Sequence, residues 1–352
     1  MMNNMIRYGV GEFFALDIGT NAIRVVQLTP TGQDKWNLSH FGYAPIDEKT
    51  TAASSPESIR KLSEVIMTAV GQSGIKTKNV VLGLPSSKTF TTVIEVPVMP
   101  ENELRNTIKY QVDQYIPMAV DQAKVDWALL GTSLHDQKMQ EVLIASTANT
   151  FAEEQLEIVE GVGLNVIAAE PSPLAMVRSL LPAGVPDARL IIDVGEKSTD
   201  LAITFGDAPR LVRTIPTGVS SLVKAAVQNL NVQEDQARQF ILKFGLAPDR
   251  LEGQVYRAVE GTLESFTVEL TKSVKFFQTR YPNVPVGGIL ASGFAAVVPG
   301  FNDYVASKVG IASSISNPWQ KVAVSQQDQQ KLQLIAAEFA TVIGLAQRKN
   351  KL

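Results

Sequence analysis

The sequence contains no cysteine among its 352 residues. Disulfide, thiolate and cysteine–zinc chemistry are therefore excluded, and a reducing compartment is permitted. There are two histidines, His40 and His135, and neither has companions at ligand spacing. A histidine-based metal site is not expected. No apolar run approaches the roughly 20 residues a membrane helix needs. The N-terminal patch Phe13–Leu16 is cut short by Asp17, and no secretory signal is visible. The C-terminal "GLAQRKNKL" is basic but too short to anchor firmly. The net charge is −3, which leaves no electrostatic footprint for nucleic acid. A soluble, cytoplasmic protein is the expectation.

What is present is a large apolar inventory, 45% of the chain against 19% charged residues. That suffices for a sizeable core, and the length suits two domains or one bilobed one. Two stretches repeat each other: "FFALDIGTNAIRVVQL" at 13–28 and "RLIIDVGEKSTDLAIT" at 189–204. Each is an apolar run, then Asp, an aliphatic residue and Gly, a small polar loop, and a second apolar run. Asp17 and Asp193 lie 176 residues apart, so the chain reads as two related halves.

Each repeat predicts a β-hairpin with its acid at the turn. Glycine lets a ligand approach the backbone closely, and the turn gathers N–H groups into an anion cradle. An acid there repels a bare phosphate unless a divalent cation, held mostly through water, sits between them. Two such hairpins facing one another would hold a metal–polyphosphate from both sides. Asp17 and Asp193 are the expected magnesium groups. Hydroxyls at Thr20, Ser198 and Thr199 add donors.

Between the hairpins, apolar spacing predicts a helix over Ser58–Val70, with Ser55 or Ser58 as cap and Gly71 or Gly74 as stop. Thr50–Ser55 reads as a loop. Strands are expected at Val80–Leu84, Thr89–Val96, Lys124–Leu130 and Glu141–Ser146. Helices are expected in "PENELRNTIKYQVDQYIP" and at Thr150–Gly161. The span Asn79–Ile167 thus reads as an inserted α+β unit of about 90 residues. "AAEPSPLAMVRSLL" at 168–181 reads as a Pro-rich turn entering a helix. After the second hairpin, a third strand runs to Thr217. Helices follow at Ser220–Leu230, Glu234–Phe244 and Gln254–Thr279, then a strand at Val286–Leu290 and a closing helix at Leu332–Ala346.

The hairpins resemble the two phosphate motifs of the actin-like ATPase superfamily, which includes actin, heat-shock chaperones, sugar kinases and FtsA. "AAEPSPLAM" resembles its connecting motif and "GGILASGFAAVVPGF" its adenosine motif, in the right order along the chain. "VPVMPENELRNTIKYQVDQYIPMAVDQAKVDW" (96–127), "SNPWQKVAV" (316–324) and "EFATVIGLAQR" (338–348) are more specific. They resemble the PilM family of type IV pilus assembly proteins, over nearly the whole chain from 13 to 348.

The resemblance implies an α/β, bilobed actin-like fold made of two RNase H-like domains, with an FtsA-type 1C subdomain inserted in the first lobe. The implied boundaries are 11–78 for the first part of subdomain 1A, 79–167 for 1C and 168–187 for the connecting helix. They continue with 188–217 and 286–331 for 2A, 218–285 for 2B, and 332–352 for a helix returning to 1A. It implies ATP or ADP with magnesium, held by Asp17, Gly19, Thr20 and Asn21 on one side and Asp193, Gly195, Ser198 and Thr199 on the other. Ser292, Gly293 and Phe294 stand at the adenosine motif, where Ala291-Ser292-Gly293 departs from the usual Gly-Gly pair. The ribose helix departs as well, with Arg238, Gln239 and Ile241 near the usual acid and lysine positions. Glu170 matches an acid of the connecting motif and is either a group that activates water or a carboxylate at a helix N-terminus. Turnover is expected to be slow, with nucleotide clamping the lobes.

The implied partner is the N-terminal cytoplasmic tail of PilN, a membrane protein, in a groove between subdomains 1A and 1C. Through it would come PilO, other platform proteins and motor ATPases, with self-association a further expectation. Membrane contact would come only through these partners, at the inner membrane. Val96, Tyr110 and Tyr115 are the groove-lining candidates. A small-molecule kinase and an FtsA-like filament former are the competing functions. The first lacks a convincing catalytic Asp, and the second lacks an amphipathic C-terminal helix.

Overall fold

The computed structural model describes residues 11–52, 55–247, 250–333 and 335–348. The last residues of the basic C-terminal segment lie outside that range. The first lobe opens with β1 (Phe14–Ile18), β2 (Ala22–Gly32) and β3 (Lys35–Pro45), an antiparallel meander. Next come α1 (Glu48–Ala52) and α2 (Pro56–Ser73). Thr50–Ala52 therefore closes a short helix where the sequence read as loop. The hydroxyl of Ser55 caps α2 by accepting from Ser58 N, and Gly74 ends it at φ 79°, a left-handed cap that favours glycine.

β4 (Asn79–Leu84) leads into the inserted unit: a 3₁₀ turn at Ser86–Lys88, β5 (Thr89–Pro97), α3 (Glu101–Gln111), β6 (Ala123–Thr132) and β7 (Met139–Ala148). The chain returns through α4 (Asn149–Gly161), β8 (Asn165–Pro171) and α5 (Ser172–Leu180). The second lobe has β9 (Ala188–Val194), β10 (Thr199–Phe205) and β11 (Ala208–Ile215). It continues with α6 (Val219–Leu230), α7 (Glu234–Phe244) and α8 (Gln254–Arg280). It finishes with β12 (Val286–Gly293), α9 (Phe301–Val309) and β13 (Ser313–Ile315). β14 (Val322–Ala323), α10 (Gln326–Leu332) and α11 (Ala340–Ala346) close the chain.

The two main sheets share one plan. The first runs β14-β3-β2-β1-β4-β8 and the second β11-β10-β9-β12-β13. In each, three antiparallel strands are followed by two that lie parallel to the first strand. The repeated hairpins are thus the starts of two copies of one sheet.

Three boundaries differ from the sequence reading. β4, expected in the inserted unit, pairs parallel to β1 in the first sheet. Its run "VVLGL" is buried throughout, as befits a central parallel strand covered on both faces. β8, read as a turn, flanks β4, and Ile158 and Val159 of α4 pack with Phe14 and Leu16. The inserted unit is therefore the three-stranded sheet β5-β7-β6 with α3. The return to the first lobe also comes early. Trp319 and Val322 belong to its core with Phe339 and Val342, and the expected closing helix is split into α10, a 3₁₀ turn and α11.

α5 and α11 lie between the two sheets. Met176 and Leu180 of α5 pack on Ile191 and Ala202 of the second sheet, while Val342 and Leu345 of α11 pack on Ala15 and Val81 of the first. The two helices touch closely: a Cβ added at Gly344 would fall 1.8 Å from the Ala175 carbonyl oxygen. The inserted unit is also tied to the second lobe. Glu141 of β7 is fully buried and accepts from Arg210 of β11 at 2.5 Å and from the Tyr281 hydroxyl. Arg280 donates to the Val93 carbonyl at 2.7 Å.

Candidate functional site: a closed inter-lobe gap and an open cavity

The two hairpins are built alike. Gly19 N donates to Ala22 O at 3.1 Å, and Gly195 N donates to Ser198 O at 2.9 Å. Each acid has a register partner seven residues on, Arg24 for Asp17 and Asp200 for Asp193. In the first hairpin the pair is opposite in charge, and Arg24 Nη1 lies 3.3 Å from Asp17 Oδ2. Arg24 also pairs with Glu338 and stacks 5.7 Å from the Tyr43 ring centre. In the second hairpin two acids face each other, and Thr214 donates to Asp200 at 3.2 Å.

The acids sense one another across the lobes. Burial, and after it the neighbouring Asp200, pushes Asp193 up to about 7, with Asp17 adding and Arg24 opposing. Burial pushes Asp200 up to about 6, against hydrogen bonds from Ser86 and Thr214 and with Asp17 again adding. Asp17 is raised as well, by burial first, against the pull of Arg24. Lys197, at the tip of the second hairpin, pairs with Glu48 of α1 and bridges the lobes.

The remaining expected residues fall into two groups. Thr20, Asn21 and Ser198 sit in the loops, Asn21 within 3.5 Å of Arg24 Nη2. Ser292 is the register partner of Asp193, and a Cβ at Gly293 would fall 2.6 Å from Asp193 Oδ1. Phe294 begins the next 3₁₀ turn. Thr199 departs from its expected role: its hydroxyl is wholly buried and donates to Thr217 O at 2.8 Å. The amides of Gly19 and Gly195 are likewise spent within their turns. On the ribose side, Arg238 is held by Glu196 at 2.5 Å. Among the described residues, no group of three acidic or histidine side chains is arranged to grip a metal directly. His40 bonds Ser73 O and His135 pairs with Glu95.

Glu170 is the register partner of Gly83, where a Cβ would lie 3.6 Å from Asp17 Oδ1. Its carboxylate is held by Arg178 at 2.5 Å and Arg348 at 3.4 Å. It lines a cavity of about 800 Å³ whose wall includes none of the hairpin residues. Both oxygens accept from arginine, an arrangement that suits the structural alternative for this carboxylate.

That cavity is walled by all three units. Leu143 and Ala145 of β7 and Asp126 to Ala128 of β6 come from the inserted unit, Trp36 and Glu170 from the first lobe, and Asp207 and Pro209 from the second. None of the three groove candidates reaches it. Val96 is 3% exposed in the core of the inserted unit, Tyr115 packs against that core, and Tyr110 is 79% exposed on α3. The sequence signal pointed to the aromatic helix, whereas the wall is the opposite face of the sheet. Alternation along "VLIAS" could have found it: Val142 and Ile144 face α3, so Leu143 and Ala145 face away. Arg24, the counter-ion of Asp17, was also missed; its seven-residue spacing matches that of Asp193 and Asp200.

Two sheets of one strand order, with acid-bearing hairpins meeting between the lobes, define an actin-like ATPase fold. A solved structure of EutJ from Carboxydothermus hydrogenoformans shares it at TM-score 0.55 and 16% identity, over 95% of this chain and 88% of that one. So does MreB 5 of Spiroplasma citri bound to AMPPNP, at TM-score 0.51 and 12% identity over 94% of each chain. The type IV pilus assembly protein PilM family model matches residues 15–350, and the chain belongs to that family. A PilM–PilN type IV pilus biogenesis complex is similar at TM-score 0.80 and 24% identity, over 95% of this chain and 97% of that one. Among the described residues no helix is long and apolar enough to cross a membrane.

Proposed function

We propose that this chain is a scaffold of type IV pilus assembly that takes the N-terminal cytoplasmic tail of PilN into the three-walled cavity. The observation that carries the reading is the cavity's position between the inserted sheet and both lobes. Its floor is apolar at Leu143 and Ala145, with charged groups around them, as a peptide with apolar side chains and a polar backbone needs. The similar complex pairs a PilM with PilN, which supports the same partner here. Contact with PilO, and the position beneath the inner membrane, then follow through PilN.

The inter-lobe gap fits a magnesium nucleotide through its phosphates. Asp193 and Asp200, buried against each other and raised toward neutrality, would gain a countercharge from a divalent cation. Asp17 and Asp193 would hold it through water, and Thr20, Asn21 and Ser198 would face the phosphates. Arg24 neutralises Asp17 and offers a cation to the same anion. Glu170, the expected water-activating group, is held by Arg178 and Arg348, so the reading is a bound nucleotide that holds the lobes together.

The test is a calorimetric titration of the full chain with a synthetic PilN N-terminal peptide, alongside Ala128→Trp. Ala128 is exposed on the cavity wall, so the bulk fills the cavity without disturbing a core. Saturable binding lost in the variant, with melting unchanged, supports the reading. Binding that is absent, or indifferent to the variant, overturns it.

A further inference from the structure

The inserted sheet has a free edge at the cavity. In the order β5-β7-β6, the strand β6 has a neighbour on one side only among the described residues. Such an edge carries unpaired N–H and C=O groups, a template for another strand.

Asp126 and Ala128 share a face with their register partners Ala145 and Leu143, and all four line the cavity. Trp127 lines it too, although its side chain packs on the other face, 6.0 Å from the Arg105 guanidinium carbon. Side chains alternate across a strand. The cavity therefore meets three consecutive residues of this edge strand.

Trp127 N is 2.9 Å from Asp126 Oδ1. That N–H is served by a local side chain, the kind of bond that competes with a ladder and that an added strand would displace. Lys124 and Asp126 place charges on the same strand, and the pairing shifts register between Leu129 and Gly131. Charges and bulges are how exposed edges are kept from indiscriminate pairing. They leave a short usable edge around Val125–Leu129.

We infer that the occupant of the cavity is an extended peptide that adds to β6 as a fourth strand. This rests on the reading of the cavity as a peptide site. Backbone bonds to the β6 edge supply affinity without regard to sequence. Every second side chain of the peptide stands beside Asp126 and Ala128 on the cavity side and supplies specificity. The intervening side chains lie on the α3 side.

The experiment is a backbone N-methyl scan of the PilN N-terminal peptide, titrated into the full chain one position at a time. In an added strand only alternate N–H groups face the neighbouring edge. The expected result is a period of two: tenfold or greater loss at alternate positions and little change between them. Losses without that period, or no losses while the unmodified peptide binds, overturn strand addition and leave the peptide site standing. No binding by the unmodified peptide overturns both.

Discussion

Asp193 and Asp200 are register partners across the second hairpin, where the first hairpin pairs Asp17 with Arg24. One copy of the repeat carries its own countercharge, and the other holds two acids against each other. This asymmetry gathers uncompensated acid at the lobe junction.

The pH dependence follows from it. Folded Asp193 and Asp200 keep their protons to about 7 and about 6, against an ordinary value of 3.8. From about pH 4 to about pH 7 the folded chain thus binds more protons through this pair than the unfolded chain. Its contribution to stability therefore falls as pH rises. Asp200→Asn removes one share. Urea unfolding across pH 4 to 8 should show the variant gaining on the wild type by on the order of 1 kcal/mol toward the alkaline end. Curves that stay parallel contradict the pairing.

A divalent cation with polyphosphate should relieve the same repulsion. Magnesium and ATP together are expected to raise the melting temperature of the wild type, and ATP with chelator to raise it less. Asp193→Asn should lose most of the difference between the two. An equal shift in both proteins, read by thermal melting, would place nucleotide outside the gap.

The crossing of α5 and α11 allows no added atom at Gly344, where a Cβ would meet Ala175 backbone at 1.8 Å. Gly344→Ala should cost about 3 kcal/mol or more, since forced overpacking moves backbone. Chemical denaturation reads this directly, and a neutral result would mean that the helices lie further apart.

Glu141, Arg210 and Tyr281 tie the inserted unit to the second lobe. Glu141→Leu leaves Arg210 buried without its partner and should cost about 3–5 kcal/mol. Adding Arg210→Met should recover much of that loss. If the double variant is no better than the single one, the pair is not an isolated buried couple.

Much of this was legible in the sequence, and the failures share a cause. The hairpins, the α2 caps and the long helix α8 are set by local chemistry: glycine at turns, Ser55 before a helix, apolar residues every third or fourth position. Which sheet a strand joins is not local. Val80–Leu84 reads as a strand from its own residues, yet its place beside β1 depends on partners far along the chain. β3 left little pattern, because its exposed, mixed residues lie between two neighbours that dictate its pairing. That the groove candidates lie off the cavity has a related reason. Tyr110 and Tyr115 are conspicuous aromatics, whereas Ala128 and Ala145 become important only once three units enclose them.

The most direct test of the account places a photo-crosslinking amino acid at Ala128 in one variant and at Tyr110 in another, each mixed with the PilN N-terminal peptide. The account predicts a peptide adduct from position 128, with none from position 110. An adduct from 110 with none from 128 would move the partner to the α3 face and contradict it.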